Sequence, residues 1–135
     1  MVDTAIVAVA YGQGLTDVFT SVGASTTVPG GQTMNPSTEE LLRAAESVTS
    51  DKVIILPNNK NIVLTAQQVR SLTKKRVEVV PSQTIPQGIA AILAFSYEAS
   101  FEDNVAAMER ALAGVQTIEV TNAVRSTRIN GMQIE

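Results

Sequence analysis

Apolar residues along this chain form short continuous runs that alternate with stretches in which they recur every three or four positions. The runs at residues 5–10 and 53–56 are wholly apolar, residues 26–28 are Thr-Thr-Val, and residues 77–80 are Val except for Glu78; Val is the commonest residue among the four. Runs of this length and composition are typical of strands that a parallel sheet buries on both faces. The pattern therefore predicts four buried strands.

Residues at helical spacing predict a helix after each strand, and a fifth helix beyond the last of these. The five apolar stripes begin at Leu15, Leu41, Ile62, Ile89 and Phe101. The second helix has the clearest start, because Ser37 and Glu40 have the spacing of a capping box. Pro86 suits the first turn of the fourth helix, and Ser100 begins the fifth helix.

The alternation of strands and helices predicts the fold class. Right-handed crossovers between parallel strands give a three-layer α/β domain, with helices on both faces of a Rossmann-like or flavodoxin-like sheet. Alternating residues at 118–124 predict a half-exposed strand, and Asn130 with Gly131 predicts a hairpin turn. We therefore expect an antiparallel C-terminal hairpin at one edge of the sheet. Its returning arm, residues 132–135, is so short that we expect the domain formed by residues 1–135 to be truncated.

Composition narrows the possible partners and chemistry. The net charge of −3 argues against nucleic acid, which needs a basic face. The basic run at residues 74–76 is expected to be a solvated turn. The chain has no cysteine and no histidine, which removes thiolate ligands and the commonest general base. The apolar run at residues 5–10 is too short for a signal or transmembrane segment, so we expect a cytoplasmic protein.

Polar loops follow all four predicted strands. They lie at residues 12–14, 30–35, 58–61 and 82–88, and together we call them the rim. Because the carboxyl ends of parallel strands share one edge of a sheet, and ligands bind there, the four loops are expected to converge. Each loop also leads into a helix, whose first turn offers unpaired backbone N–H groups.

The rim is rich in amides, hydroxyls and glycines, with one lysine. The candidate binding residues are Gly30, Gly31, Gln32, Thr33, Asn35, Asn58, Asn59, Lys60, Asn61, Thr84 and Gln87. Such a set suits a neutral polar group or an anion held by hydrogen bonds. The alternative is that Asn and Gly occur here because turns need them. Lys60 either meets an anionic group of a partner or is simply solvated.

Motifs of catalysis are not apparent in this sequence. Asp17 stands where a dinucleotide-binding motif starting at Gly12 needs its third glycine. The acidic residues are scattered, so we predict no metal site, no catalytic residue and no cofactor in this chain. Its serines lack a histidine to activate them.

Four stretches resemble a known family. They are residues 28–38 (Val-Pro-Gly-Gly-Gln-Thr-Met-Asn-Pro-Ser-Thr), 54–62 (Ile-Ile-Leu-Pro-Asn-Asn-Lys-Asn-Ile), 84–88 (Thr-Ile-Pro-Gln-Gly) and 120–125 (Val-Thr-Asn-Ala-Val-Arg). Together they are similar to the C-terminal region of bacterial dihydroxyacetone-kinase-like proteins, the ATP-binding subunit of fatty acid kinase. The resemblance spans nearly the whole chain.

The resemblance implies a part in a two-protein kinase. In that family an N-terminal kinase domain binds ATP and magnesium, and the complex phosphorylates a bound fatty acid to an acyl phosphate. The C-terminal region resembles the DegV-type fatty-acid-binding fold and is associated with docking the acyl-binding partner subunit. This chain has neither the kinase domain nor its carboxylate metal cluster, so we expect a truncated C-terminal domain of a larger kinase subunit.

Three functions remain open at this point. The first is a non-catalytic domain that docks the acyl-binding, DegV-type partner and plays its part in phospholipid metabolism. The second is a module that binds a small anionic ligand, a carboxylate or phosphate oriented by Thr33, Asn35, Asn59, Thr84 and Gln87. The third is a free-standing enzyme, which the missing histidine and cysteine disfavour.

Overall fold

Strands and helices alternate along the chain in the computed structural model, which describes residues 4–30, 35–96 and 98–115. The elements are β1 (Thr4–Ala10), α1 (Gly12–Ser21), β2 (Thr26–Pro29), α2 (Thr38–Ser47), β3 (Lys52–Leu56), α3 (Lys60–Val69), β4 (Arg76–Val79), α4 (Ile85–Leu93) and α5 (Phe101–Gly114). All four predicted buried strands and all five predicted helices are present. The α/β prediction is therefore confirmed.

The four strands form one parallel sheet in the order β2-β1-β3-β4. In register, Val7 lies opposite both Thr26 of β2 and Ile55 of β3, and Val53 lies opposite Val77 of β4. This order matches the first four strands of the flavodoxin-like arrangement rather than the Rossmann order. The order reverses between β1 and β3, so the central crevice lies where these two strands end.

Helices cover both faces of the sheet and give three layers. On one face, Ile54 and Leu56 pack with Phe19 of α1, Ala91 of α4 and Met108 of α5. On the other face, β-strand valines and isoleucines pack with residues of α2 and α3. Successive residues of β1 and β3 enter opposite clusters, which explains why their apolar runs are continuous.

Four predicted boundaries need correction. Residues 12–14 do not form a loop, because α1 already begins at Gly12. Lys60 and Asn61 belong to the first turn of α3, and residues 85–88 belong to α4. Strand β2 includes Pro29, one residue beyond the predicted strand at residues 26–28. An edge strand tolerates this proline, because Gly30 donates its N–H to β1 and the N–H that Pro29 lacks would have pointed away from β1.

The prediction for the basic run at residues 74–76 also needs correction, because one of its side chains is not solvated. Lys74 is exposed, but Lys75 Nζ donates hydrogen bonds to the carbonyl oxygens of Ala45 (3.1 Å) and Val48 (2.6 Å). The last turn of α2 contains no basic residue of its own. Lys75, which directly precedes β4, thus donates hydrogen bonds to carbonyl groups at the end of α2. The expectation of a solvated turn is therefore wrong for this residue.

Helix α5 is anchored at both ends. At its start, the Arg76 guanidinium contacts the Glu102 carboxylate and lies 4.8 Å from the centre of the Phe101 ring. A hydrogen bond from the backbone of Glu102, then one from Arg76, lowers the pKa of the Glu102 carboxyl below the usual 4.5. At its end, the Leu112 carbonyl accepts a hydrogen bond from Gln87 Nε2 (3.3 Å). The helix therefore runs from the amino end of β4 to the rim.

The predicted strand at 118–124 and the hairpin turn at Asn130 and Gly131 lie outside the described residues. Among the helices that the structure describes, none has the length and apolar character needed to cross a membrane.

Candidate functional site

The described rim loops lie at one edge of the sheet and contact one another. The backbone N–H of Gly30, after β2, donates to the Ala10 carbonyl at the end of β1 (3.2 Å). Asn58, after β3, donates from Nδ2 to the Val9 carbonyl (2.8 Å). The convergence expected from the strand order is therefore present for the ends of β1, β2 and β3.

Asn58 extends this linkage to β4. Its backbone N–H donates to Ser82 Oγ (3.0 Å), and the Ser82 hydroxyl donates to Asn58 Oδ1 (2.7 Å). Both residues are buried, with exposed fractions of 6% and 0%. Asn58 has a φ of 59°, a left-handed conformation that Asn adopts more readily than most residues. One side chain thus ties together the carboxyl ends of three strands.

Two glycines make room for this arrangement. A Cβ on Gly88 would overlap the Asn58 carboxamide, so α4 begins in direct contact with Asn58. A Cβ on Gly30 would lie 2.5 Å from Pro36 Cδ, which packs against it. Gly30, Asn58, Ser82 and Gly88 are all buried, and we call these four residues the inner rim.

Three candidate residues cap helices. Asn59 Oδ1 accepts a hydrogen bond from the Asn61 N–H at the start of α3 (2.8 Å). Thr84 Oγ1 accepts from the Gln87 N–H at the start of α4 (3.2 Å), and Gln87 Oε1 accepts from the Gln83 N–H (2.7 Å). These side chains satisfy backbone N–H groups at the two helix starts. They remain partly exposed.

A further set of rim residues faces solvent. Asn35, Lys60, Asn61 and Gln83 are exposed, and we call them the outer rim. Gly31, Gln32 and Thr33 are candidate residues that lie outside the described part of the chain. The remaining candidates therefore divide into buried residues that hold the loops, partly exposed caps, and exposed residues available to a partner.

Ser82 and Gly88 are not among the candidate residues predicted from the sequence. Ser82 looked like one more hydroxyl in a turn, and Gly88 like a residue that the turn needs. Their importance comes from Asn58, which is 24 residues before Ser82 in the chain. Only the pairing of β3 with β4 brings these residues together, so no local pattern indicates their contact.

The four helix starts at the rim differ in charge. No acidic residue lies in the first turn of α1, α3 or α4, whereas α2 has Glu39 and Glu40 there. The positive ends of three helices thus remain without an internal carboxylate, and the positive end of α2 is neutralised. Within the described ranges, no group of three or more Asp or Glu side chains is placed to hold a metal ion.

Known proteins similar to this chain include the Bacillus subtilis (strain 168) protein YloV, 48% identical over 130 residues. An uncharacterized protein of Staphylococcus epidermidis (strain ATCC 12228) is 44% identical over 134 residues, and an uncharacterized Staphylococcus aureus (strain USA300) protein is 40% identical. These alignments cover 96–99% of the chain but 24% of each relative. The chain therefore spans about a quarter of the length of these curated relatives.

The family assignment agrees with these relatives. A family model for the C-terminal region of FakA-like fatty acid kinase subunits matches residues 5–135. The match includes every rim loop and both core clusters. The chain therefore belongs to the FakA-like family of fatty acid kinase subunits and corresponds to its C-terminal region.

Proposed function

We propose that this domain is a non-catalytic docking module of a fatty acid kinase subunit, and that its outer rim binds the acyl-binding, DegV-type partner protein. In this proposal a separate domain of the same subunit binds ATP and magnesium and transfers phosphate to the fatty acid. The observation that carries the proposal is the inner rim, which holds several loops in one fixed arrangement beneath an exposed polar surface.

A fixed loop arrangement favours recognition of a protein. Binding orders loops and side chains, and that loss of entropy opposes association unless the surface is already ordered. The hydrogen bonds from Asn58 to Val9 and Ser82 hold the loop after β3 before any partner arrives. Lys60 and Asn61, in the turn that follows, are then presented at a defined position.

The chemistry of the rim supports binding rather than catalysis. The side chains of the described loop residues at 57–61 and 81–84 are amides, hydroxyls, prolines and one lysine. Histidine, the side chain that most often serves general acid–base catalysis, is not among them. The whole chain contains no histidine or cysteine that a conformational change could bring there.

Charge reversal at Lys60 tests the docking surface. The variant Lys60→Glu removes the cation and should preserve the fold, because an acidic residue is favourable in the first turn of a helix. The matched control is Lys74→Glu, an equally exposed lysine just before β4 at the opposite edge of the sheet. Affinity for the acyl-binding partner is measured by calorimetry with the full-length subunit.

We expect Lys60→Glu to weaken binding at least about tenfold, the equivalent of 1.4 kcal/mol, and Lys74→Glu to bind as the unchanged protein does. If Lys60→Glu and a bulky variant, Asn61→Trp, both bind with unchanged affinity, the outer rim is not the docking surface. Equal losses for Lys60→Glu and Lys74→Glu would indicate general electrostatic attraction and would also contradict the proposal.

A second candidate function is the binding of a small anion, such as a carboxylate or phosphate. The observation that favours it is the convergence of α1, α3 and α4 on the rim with no acidic residue in their first turns. Helix starts of this kind favour negative charge and offer backbone N–H donors. Lys60 would add one positive charge to the same edge.

Thermal unfolding with added ligand tests this second function. Inorganic phosphate, acetyl phosphate and a short-chain fatty acid are added separately to the 135-residue chain. A ligand present at a hundred times its dissociation constant should stabilise the folded state by about 2.7 kcal/mol. If no ligand raises the melting temperature above that of a sodium chloride control at equal ionic strength, the small-anion function is wrong.

A further inference from the structure

Helix α4 is apolar on its outward side as well as on the side that packs against the sheet. Ala91 and Ile92 are buried on the inner side. Pro86, Ala90 and Leu93 have the spacing of one helix face and are exposed or half-buried, with 66% of Leu93 exposed. A helix that is apolar all round is typical of an element covered on both sides. The described residues leave the outward side of α4 uncovered.

The outward side of α4 also carries no charge. No Asp, Glu, Lys or Arg occurs at residues 79–97. Gln87 is the one polar residue within α4, and its side chain is already engaged. Its Oε1 accepts from the Gln83 N–H (2.7 Å), and its Nε2 donates to the Leu112 carbonyl (3.3 Å). We call Pro86, Ala90 and Leu93 the α4 stripe.

Leu64 of α3 provides a contrast to the α4 stripe. It is 73% exposed, which is more than Leu93. The residues one turn before and after it, Lys60 and Gln68, are polar and exposed. Single exposed leucines are common on monomeric proteins, whereas an apolar stripe without polar residues marks a surface that another molecule covers.

Helix α4 lies between α1 and α5 on one face of the sheet. Helix α1 packs on β1 and β2, and α5 starts beside β4 and packs along α4. Asp17 of α1 and Arg110 of α5 are exposed, and the ion pairs among the described residues include neither. The carboxylates of α5 lie elsewhere, because Glu109 lines the depression beside β4 and Asp103 lies in the first turn.

Asp17 and Arg110 lie at similar distances from the rim. Asp17 is five residues after the start of α1, and Arg110 is four residues before the end of α5. Both helix termini lie at the rim, so the two residues are about 6 to 8 Å from it along their helices. A two-fold axis parallel to α4 places α1 of one chain over α5 of a second copy and keeps these distances. Asp17 of each chain then faces Arg110 of the other, and the contact occurs twice.

We propose that α1, α4 and α5 form a surface through which two copies of this chain associate, related by a two-fold axis parallel to α4. The two α4 stripes pack against each other, with an Asp17–Arg110 pair on either side. Charge favours a second copy as the occupant. The chain has a net charge of −3, so two copies repel each other except across a surface that is uncharged or complementary.

The size of this surface sets the expected affinity. Three helices, each about 10 Å wide and about 14 to 21 Å long, present roughly 500 Å² per chain. Interfaces that bury less than about 600 Å² per partner are typical of weak, reversible complexes. We therefore expect a dimer with a dissociation constant of tens to hundreds of micromolar.

Sedimentation equilibrium of the 135-residue chain tests the association. The chain is measured at concentrations from about 1 µM to 1 mM, a range that brackets the expected dissociation constant. Leu93→Lys places a charge in the α4 stripe. Leu64→Lys is the matched control, because it makes the same substitution at an exposed leucine on the opposite face of the sheet. Both variants change the net charge equally, and circular dichroism verifies that both are folded.

We expect Leu93→Lys to raise the dissociation constant at least about tenfold and Leu64→Lys to stay within about twofold of the parent. A parent chain that is monomeric at the highest concentration would overturn the proposal, and so would equal effects of the two variants. If the chain is monomeric and Leu93→Lys instead loses affinity for the acyl-binding partner, the surface belongs to that partner and self-association is wrong.

Charge exchange tests the two-fold arrangement. Asp17→Arg and Arg110→Asp change the net charge in opposite directions, yet each should weaken the dimer at least about threefold, because each brings like charges together twice. The double variant restores both pairs at the net charge of the parent and should dimerise within about twofold of it. A double variant no stronger than the weaker single variant would overturn the proposed arrangement.

Discussion

Asparagine occurs in both the inner and the outer rim, but its surroundings in the two sets differ. Asn58 is buried, left-handed and hydrogen-bonded to two other strand ends, whereas Asn61, three residues later, is exposed on the first turn of α3. The difference comes from position relative to the sheet, because Asn58 still lies under α4 and Asn61 has passed beyond it. Polar residues near a binding edge can therefore be part of the scaffold.

Removing the Asn58 side chain is the strongest test of whether the inner rim stabilises the fold. Asn58→Ala loses two buried hydrogen bonds and leaves alanine in a left-handed conformation, so we expect a loss of roughly 2 to 4 kcal/mol in the free energy of unfolding. Urea denaturation measures it. Ser82→Ala should lose less, and the double variant should lose less than the sum, with a coupling of about 0.5 to 3 kcal/mol. Strict additivity would show that the two residues act separately.

Gly88 tests whether the inner rim is closely packed. Gly88→Ala places a methyl group against the Asn58 carboxamide, and we expect destabilisation by about 1 to 3 kcal/mol. Gly14→Ala is the matched control, since no atom lies within 4 Å of its added Cβ, and it should be neutral or stabilising by roughly 0.5 to 1 kcal/mol. Combining Gly88→Ala with Asn58→Ala should recover part of the loss, because the obstructing group is then gone.

Substitutions of the helix-capping residues should destabilise the fold less than inner-rim substitutions and more than outer-rim substitutions. Thr84→Ala removes the oxygen that accepts from the Gln87 N–H, and a loss of about 1 kcal/mol is expected in thermal unfolding. Thr84→Ser keeps a hydroxyl and should retain most of the stability. If the serine variant loses as much as the alanine variant, the threonine methyl group rather than the cap explains the effect.

Outer-rim substitutions should leave the fold almost unchanged. For Lys60→Gln and Asn61→Ala we expect differences within about 0.5 kcal/mol of the parent in urea denaturation, as is usual for exposed positions. A loss of about 2 kcal/mol or more at either position would remove the distinction between inner and outer rim.

The pH dependence of the unfolding free energy distinguishes the inner rim from a charged surface site, although the expected effect is smaller. The inner rim holds no titratable side chain, so the deficit of Asn58→Ala should stay constant with pH. Because the pKa of Glu102 is lowered in the folded state, its stabilisation is present above 4.5 and declines as the pH falls through the folded-state pKa. The difference in unfolding free energy between the parent and Glu102→Gln should therefore shrink below pH 4.5. A difference that grows on acidification would contradict this assignment.

The fold was largely predictable from the sequence, and the reason is local. Continuous apolar runs and capping signals such as Ser37 with Glu40 depend on neighbouring residues, and the structure confirms that capping box. The convergence of the rim followed from parallel strand order alone. Helix starts were less predictable, because Gly12 and Lys60 are poor indicators of whether a loop has already become a helix.

The division of the rim was not predictable, because it depends on contacts distant in sequence. Asn58 bonds to Val9, 49 residues earlier, and to Ser82, 24 residues later. The role of Lys75 was missed for a similar reason, since it donates to the carbonyl of Val48, 27 residues earlier, just after the end of α2. Composition indicated a polar edge, and only tertiary structure separates residues that hold the edge from residues that face outward.

The bonds of Asn58 also bear on the kinetics of folding. The bond to Val9 can form only when β1 and β3 are aligned, and the two bonds with Ser82 can form only when β3 and β4 are aligned. Interactions that form after the transition state slow unfolding and leave the rate of folding nearly unchanged. We therefore expect the bonds of Asn58 to prolong the lifetime of the assembled edge, so that Asn58→Ala speeds unfolding and leaves the rate of folding nearly unchanged.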